Sequence, residues 1–268
     1  MNINIEKNNK IKKTITIIFC ILCIIFLTIV YSRYKATSEL KINEEKITNT
    51  LIPDSLHGTK LVQISDIHYG NTVDINYLKT IVNEINKIKP DILVLTGDLL
   101  DKEINEEEKN EIIYTLKEIN VTISSYAIMG DSDYDEELWN EIITESGFIN
   151  LNNKEEKIYS KSNEPILISN LDTFHDNIFS IYLLHQPDKV DELKNNFNLI
   201  LAGHSLNGQI NIPIIKLLLL PEGARKYYKN HYKINNSDLY ISSGIGTTKF
   251  KYRFLNKPSI ELYRLTNK

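Results

Sequence analysis

The sequence predicts an α/β domain with two sheets at its core and helices outside them, preceded by one membrane-spanning helix. Short apolar runs of strand composition recur along the chain, and five of them end at an Asp or a His. Segments with the helical spacing of apolar residues alternate with the first of these runs, which is typical of βαβ connections. The third observation is an uncharged apolar run near the N-terminus. With 268 residues, 42% of them hydrophobic, the chain suits one large domain and an appendage.

The apolar run, residues 14–32, carries no charge and has about the length that crosses a bilayer as a helix. Four lysines precede it: Lys7, Lys10, Lys12 and Lys13. The positive-inside rule therefore places the N-terminus in the cytoplasm and the rest of the chain outside. We predict a cytoplasmic tail (1–13), a transmembrane anchor (14–32), a tether (33–45) and a domain (46–268).

A cleaved signal peptide is the alternative to an anchor, and it would leave a secreted protein. Small or compact residues at positions 30–32 could be read by a signal peptidase. The apolar run is long for a signal, and Arg33 and Lys35 follow it at once. These features favour the retained anchor.

The elements of the domain follow in order. Residues 47–52 alternate between apolar and polar and predict an edge strand. The apolar run from Lys60 leads to a helix over 74–89, closed by Pro90, and then to a second run over 91–96, which together predict a right-handed βαβ unit. Further helices are predicted over 105–120, 135–146 and 189–195. Further strands are predicted over 125–129, 158–159, 165–169, 178–184, 199–202, 239–243 and 259–265.

Acidic residues and histidines stand at the ends of the five strand candidates: Asp66 and His68, Asp98, Asp131, His185, and His204. Residues i and i+2 at a strand end point to the same side, so we expect Asp66 and His68 to be presented together. Open α/β sheets place their sites at the carboxyl ends of strands. Carboxylates and imidazoles bind hard or borderline cations, so this pattern predicts a metal site.

Composition excludes some classes of function. The net charge of −4 argues against a general nucleic-acid binder, which needs a basic excess to neutralise phosphates. Both cysteines, Cys20 and Cys23, lie in the apolar run, so no disulfide can form elsewhere in the chain.

The strand-end residues form motifs in a fixed order: Asp66-Ile67-His68, Gly97-Asp98, Gly130-Asp131-Ser132-Asp133, His185 and Gly203-His204. This set resembles the calcineurin-like metallophosphoesterases, and more narrowly their membrane-associated bacterial branch, which is YkuE/YaeI-like. The resemblance extends from about residue 46 to the end of the sequence. It implies an αββα two-sheet sandwich that carries one or two divalent metal ions, such as Mn, Fe or Zn.

The resemblance also implies roles for single residues. Asp66 and His68 match ligands of a first metal, Asp98 matches a carboxylate that bridges both metals, and His185 and His204 match ligands of a second. Asp131 stands where the family has Asn, so it can still bind a metal but adds negative charge. In the family, a metal-bound hydroxide attacks the phosphorus.

Two positions depart from the family pattern. Ser132 stands where the family has the His thought to protonate the leaving group, and a hydroxyl is too weak an acid for that role. Leu206, in the motif Gly203-His204-Ser205-Leu206-Asn207, replaces a ligand of the first metal. We therefore expect one metal to be held well and the other poorly. His175 could reach the site and replace a missing group, although a solvated loop residue is the favoured interpretation.

These features predict a metal-dependent phosphoesterase, with a phosphodiesterase favoured, on the outer face of the cytoplasmic membrane. Its partners would be a phosphate-ester substrate, for which an envelope- or lipid-linked molecule is one candidate, and the membrane itself, with no nucleic acid. The alternative is a catalytically lapsed member of the family that binds metal and acts as a ligand- or protein-binding module. Enzyme activity is favoured over the alternative.

Overall fold

The computed structural model describes residues 2–173, 175–248 and 250–268, without the side chains of residues 2–8. Met1, which begins the predicted cytoplasmic tail, and the side chain of Lys7 therefore lie outside the described residues.

The N-terminal part is one long helix, α1 (Asn2–Val30), which continues as a π-helical segment, Tyr31–Lys35. The 27 residues Asn9–Lys35 are long and apolar enough to cross a membrane, and none of their most apolar stretch is buried against the domain. The predicted anchor, residues 14–32, lies within this span. A signal sequence near the N-terminus has the same length and composition.

In the described residues, twelve strands form two six-stranded sheets. The strands are β1 (Lys41–Thr48), β2 (Lys60–Ile64), β3 (Ile92–Thr96), β4 (Ser124–Ile128), β5 (Ile149–Asn150), β6 (Glu155–Ile158), β7 (Ile166–Ser169), β8 (Ser180–Leu184), β9 (Leu199–Ala202), β10 (His231–Ile234), β11 (Ser237–Ile241) and β12 (Ser259–Thr266). The first sheet has the order β1-β12-β2-β3-β4-β5, and the second β10-β11-β9-β8-β7-β6. Neighbouring strands are parallel except for β12/β2, β10/β11 and β6/β7, so both sheets are mixed.

The helices of the domain are α2 (Ile75–Ile88), α3 (Glu106–Lys117), α4 (Glu136–Glu145) and the short α5 (Ile215–Leu219). Asp74, Asn105 and Asp135 precede the first three, and each side chain accepts a backbone N–H of the first turn. Such caps satisfy donors that have no partner within the helix. These caps explain why three helix starts agree with the predicted ones to within a residue.

Alternation along β2 shows how the layers are built. Val62 and Ile64 pack into the core under the helices α2–α4, whereas Leu61 packs into the core between the two sheets. Gln63 is fully buried; its Nε2 donates to Thr96 Oγ1 and to the carbonyl of Ala202 on the second sheet, both at 2.9 Å. The two sheets therefore pack face to face, and the predicted two-sheet α/β fold of the metallophosphoesterase type is confirmed. The outer face of the second sheet packs against loops and a 3-10 helix, Pro187–Glu192, where a helix over 189–195 was predicted.

The segment after the anchor differs from the prediction. Residues 41–45, predicted as tether, belong to β1, and the predicted edge strand over 47–52 ends at Thr48. The cause is pairing with β12, in which Lys41 lies opposite Ser259 and Thr48 opposite Thr266. A partner more than two hundred residues away thus makes a polar segment a strand, which its own composition did not indicate.

Candidate metal centre

Strand ends of both sheets converge on one place. Asp66 and His68 follow β2, Asp98 follows β3, Asp131 follows β4, His185 follows β8 and His204 follows β9. β2, β3 and β4 are parallel neighbours in one sheet, and β8 and β9 are parallel neighbours in the other. The carboxyl ends of both sets therefore meet at one edge of the sandwich.

Two groups of ligand atoms result. One consists of Asp66, His68 and Asp98, and the other of Asp98, His185 and His204, with one atom of each residue within 4.8 Å of the others. Asp98 belongs to both groups. Its Oδ2 lies 3.4 Å from His68 Nε2 and 3.3 Å from His185 Nε2. One carboxylate is therefore placed between two sets of donors, as a bridging ligand would be.

Each histidine is oriented by a partner on the far side of its ring. His185 Nδ1 bonds the carbonyl of Thr96 at 2.8 Å, and His204 Nε2 bonds the carbonyl of Glu222 at 2.6 Å. A carbonyl can only accept, so these two nitrogens carry the hydrogens. The remaining nitrogens, His185 Nε2 and His204 Nδ1, lie 3.2 Å apart. In the neutral rings both present lone pairs, which repel unless a proton or a cation lies between them.

His68 has the same arrangement. Its Nδ1 lies 3.2 Å from Asp101 Oδ1, and its buried Nε2 makes no hydrogen bond within the described part of the chain. Carboxylates and carbonyls that bond the outer nitrogen of a histidine are the usual support of metal-binding imidazoles. An unpartnered inner nitrogen beside a carboxylate fits a bound cation. The donor set of the site therefore fits divalent metal.

The sixth residue, Asp131, lies at the mouth of the site, with 48% of its side chain exposed. Its Oδ2 is 3.4 Å from His204 Nδ1 and 4.0 Å from His185 Nε2, and it accepts a hydrogen bond from Gln186 Nε2. Asp131 can therefore complete the group of Asp98, His185 and His204.

The backbone at the site departs from the predicted extended geometry. β2 ends at Ile64, and Asp66 and His68 both have left-handed backbones, with φ of 53° and 49°. Asp98 and His204 are also left-handed, at 57° and 63°. This conformation is unfavourable for residues with a Cβ and concentrates at functional sites. The side chains of Asp66 and His68 therefore point to the same side because of a strained loop, and not because of the alternation of side chains along a strand.

Glycines let the loops approach closely. A Cβ on Gly203 would lie 2.7 Å from Asp66 Oδ2, and a Cβ on Gly130 would overlap Asp98. Only glycine fits where a backbone passes this near a ligand carboxylate. This close approach explains the Gly that precedes both Asp131 and His204.

The site's own residues favour protonation of its histidines. Burial opposes protonation of His185, but its hydrogen bond to Asp98 and the negative charges of Asp98 and Asp66 together outweigh burial and raise the pKa of His185 to about 10. Burial would raise the pKa of Asp98, yet His185 and His68 hold it well below its usual range. Burial raises the pKa of Asp66. The cluster therefore draws positive charge to itself, which a divalent cation can supply instead.

Two acidic residues that the sequence left without a role support the site. Asp101 orients His68, as described above. Asp133 is buried, and its carboxylate accepts four backbone N–H groups at 2.9–3.0 Å, those of Asp98, Leu99, Leu100 and Gly130. The only sequence signal for Asp133 is its place two residues after Asp131 in the Gly-Asp-Ser-Asp motif.

Ser132 and Leu206, which depart from the family pattern, and His175, the possible replacement, make the following contacts. The Ser132 hydroxyl donates to the carbonyl of Leu100 at 2.7 Å, so its proton is engaged. Leu206 is buried, and its side chain and that of Asp66 both approach Gly244, which puts an apolar side chain near the group of Asp66, His68 and Asp98. His175 pairs with Glu155 of β6 at 2.8 Å and so does not join the six residues of the site.

A cavity of about 510 Å³ opens over the cluster. It is lined by His68, Asn71, Asp98, Asp101, Asp131, Ser132 and Thr248. Such a volume suits a small polar substrate group beside the metals. A second cavity of similar volume, about 500 Å³, lies around Pro53 and contains none of the six residues.

Comparison with known proteins identifies the family. A family model described as calcineurin-like phosphoesterase matches residues 59–208, more than half of the chain. Metallophosphoesterase YkuE of Bacillus subtilis (strain 168) is 29% identical over 253 residues, which cover 88% of this chain and 88% of YkuE. Metallophosphoesterase YkoQ of the same organism is 24% identical, covering 93% of this chain and 99% of YkoQ. A transmembrane protein with metallophosphoesterase domain from Danio rerio is 25% identical, covering 86% of this chain and 58% of its own length. The chain belongs to the calcineurin-like phosphoesterases, a family of metal-dependent hydrolases.

Proposed function

We propose that this chain hydrolyses phosphodiesters at a metal centre held by Asp66, His68, Asp98, Asp131, His185 and His204. The observation that carries the proposal is the pair of donor groups that share Asp98. Divalent ions bound there would activate water and neutralise the phosphoryl oxygens, which is the chemistry that phosphoester hydrolysis requires.

Different residues of the chain would orient the ligands and set the affinity of the two metal positions. Thr96 and Glu222 fix the rings of His185 and His204 through their carbonyls, so the facing nitrogens are ready to bind without reorientation. The group with Asp131 has four ligands, whereas the group with Asp66 has three and Leu206 beside it. We infer that the group with Asp131 binds its metal ion tightly and that the group with Asp66 binds its metal ion weakly.

The leaving group receives little help from the chain. The Ser132 hydroxyl is bonded to a backbone carbonyl, and an alcohol is a poor acid near neutral pH. Loss of general acid catalysis typically costs about 10²- to 10⁴-fold in rate. A substrate whose leaving group is already acidic loses least, so we infer an activated or electron-poor leaving group.

The test is turnover of an aryl phosphodiester by the full chain in detergent across a Mn²⁺ titration. Asp98→Asn should abolish metal-dependent turnover, while Asp191→Asn, an exposed carboxylate paired with Lys226, should keep it. Turnover that Asp98→Asn leaves intact would overturn the proposal.

A second candidate is a lapsed family member that binds metal and acts as a ligand- or protein-binding module. The engaged Ser132 hydroxyl and the buried Leu206 favour it. Tight Mn²⁺ binding by the wild type with turnover no higher than that of Asp98→Asn would support this alternative.

We further propose that the N-terminal helix is retained as an anchor, with its N-terminus in the cytoplasm and the domain outside. The apolar span Asn9–Lys35 and the preceding lysines support this. The mass of the mature protein distinguishes an anchor from a cleaved signal, and digestion of intact cells by an external protease tests the orientation.

A further inference from the structure

The exposed apolar side chains of the domain are concentrated in one region. Outside the N-terminal helix, and within the described residues, five Ile, Leu or Phe side chains are more than half exposed. They are Ile214 (75%), Leu217 (56%), Leu218 (80%), Phe250 (53%) and Leu255 (67%). All lie in two short segments, 214–218 and 250–255, and together they form what we term the apolar rim. Soluble domains rarely cluster such residues without a partner.

Hydrogen bonds join residues 209–211, just before the first segment of the apolar rim, to the second segment. Asn211 N–H donates to the carbonyl of Phe254 at 2.8 Å, and Phe254 N–H donates to the carbonyl of Gln209 at 3.1 Å. Gln209 Nε2 also donates to the carbonyl of Tyr252 at 2.8 Å. Segments 214–218 and 250–255 are therefore parts of one surface.

The same surface meets the end of the N-terminal helix. The backbone N–H of Arg253, within the apolar rim, donates to the carbonyl of Ser32 at 3.0 Å, and Ser32 and Ala36 are buried there. Tyr31 and Leu255 line one cavity. The uncharged run of the helix ends at Ser32, so this contact lies where the chain passes from hydrocarbon to the polar interface. The apolar rim therefore starts at the level of the bilayer surface.

Charged and aromatic residues around the apolar rim fit an interface between lipid and water. Arg33 lies over the ring of Tyr34, at 5.2 Å, and Lys216 lies over the ring of Tyr228, at 5.1 Å. Tyrosine and basic side chains favour the headgroup layer, where their apolar parts and charges are both satisfied. Lys216 lies in the middle of α5, beside the exposed Leu217 and Leu218.

The apolar rim is connected to the metal centre on both sides. His204 lies ten residues before Ile214, and Glu222, four residues after Leu218, bonds His204 Nε2 through its carbonyl. The loop that carries α5 thus begins and ends at one candidate ligand. A surface that buries α5 would therefore meet the loop whose two ends contact each other at His204.

We propose that the apolar rim rests in the interfacial layer of the bilayer that the N-terminal helix spans, and holds the metal centre against the lipid headgroups. This deepens the proposed function, on whose membrane anchor it rests, by pointing to phosphodiesters that belong to, or are carried on, the membrane. Four exposed aliphatic side chains and a Phe at an interface supply the apolar contact that surface-bound elements use.

Site-directed fluorescence tests the contact without using activity. The full chain with Cys20→Ser and Cys23→Ser carries an environment-sensitive label at Leu218→Cys or Leu255→Cys and is reconstituted in phospholipid vesicles. The matched control is Tyr114→Cys on α3, which is 67% exposed, as Leu255 is. We expect nitroxide-bearing lipids to quench the two rim labels about threefold or more over the control, and aqueous iodide to quench them less.

Equal quenching at positions 114, 218 and 255 would overturn the proposal. Shielding from iodide without quenching by the lipid nitroxide would overturn it as well, and would indicate a protein partner. If the protein had no phosphodiesterase activity, the proposed function would be wrong. The fluorescence measurement would still be valid, because the label reports only the position of the side chain relative to the bilayer.

Turnover measurements then test the substrate class independently of the membrane contact. Leu217→Ser combined with Leu218→Ser should lower turnover of a vesicle-embedded lipid phosphodiester about tenfold, while turnover of the soluble aryl ester stays unchanged. An equal fall with both substrates, or no fall with the lipid substrate, would contradict the inferred substrate class, because the effect of the apolar rim would then not depend on the membrane.

Discussion

The carboxylate of Asp133 accepts the backbone N–H of Asp98 at 2.9 Å, so a buried acid on one loop holds the proposed bridging ligand on another. The same carboxylate accepts the N–H of Gly130 at 2.9 Å, which fixes the loop of Asp131. The candidate metal centre is thus positioned by a residue that is not one of its proposed ligands.

We expect Asp133→Asn to lower both stability and metal affinity. Each oxygen of Asp133 accepts two N–H groups, and an amide can accept with one oxygen only, so two of the four N–H groups would lose their acceptor and face an NH₂ group. The cost should be about 2–4 kcal/mol of unfolding free energy, and metal affinity should fall about 10- to 100-fold. Thermal unfolding and a Mn²⁺ titration measure the two effects.

Asp135→Asn is the control for that experiment. Asp135 caps α4 by accepting one N–H, that of Leu138, and Asn caps equally well. If the two variants behaved alike, the positioning role of Asp133 would be wrong.

Leu206→His should strengthen the weaker donor group. Leu206 and Asp66 both approach Gly244, so we expect an imidazole at position 206 to add a nitrogen to the group of Asp66, His68 and Asp98. We expect the second equivalent of metal to be retained through dialysis, as measured by elemental analysis. Leu206→Phe, similar in shape but without a ligand atom, should leave one equivalent. One equivalent in both variants would contradict the predicted gain.

Ser132→His should favour substrates with poor leaving groups. Ser132 lines the cavity next to Asp131, and an imidazole titrates near neutral pH, so it can donate the proton that an alkoxide needs. Turnover of an alkyl phosphodiester should rise about 10²-fold relative to an aryl one. Ser132→Ala should leave the ratio of alkyl to aryl turnover at its wild-type value. If Ser132→His also left that ratio unchanged, position 132 would not be the position of the general acid.

Glu261 should make the fold less stable as the pH rises. Burial raises the pKa of Glu261 above its ordinary value of 4.5. Between 4.5 and the raised pKa, the folded chain holds a proton that the unfolded chain has lost, so stability is full below pH 4.5 and declines above it. Glu261→Gln should remove this decline in thermal unfolding from pH 4.5 to 8. Glu44→Gln, on the exposed neighbouring strand, should retain it.

The parts of the fold that sequence alone predicts are those set by local chemistry. The caps Asp74, Asn105 and Asp135 mark three helix starts. The strands β2 and β3 consist mostly of consecutive apolar residues, which indicates burial on both faces of the sheet. The six strand-end residues could be proposed as one cluster because parallel strands bring their carboxyl ends together.

Other features depend on contacts that no local pattern contains. β1 is polar and becomes a strand through β12, and α5 is a five-residue helix whose side chains are mostly exposed. Asp101 and Asp133 resemble ordinary loop acids until the fold brings them to His68 and Asp98. The left-handed backbones of Asp66 and His68 likewise arise from tertiary contacts, since both types favour other conformations.

The pairing of β1 with β12 sets an order of events during synthesis. The two threonines that face each other, Thr48 and Thr266, are 218 positions apart. At about 5–20 residues per second, the ribosome needs on the order of 10–40 s to make that stretch. During that interval β1, the strand that follows the N-terminal helix, has no partner strand. Lys41, Glu44, Glu45 and Lys46 lie on it, and such charges discourage a waiting edge from joining a wrong neighbour.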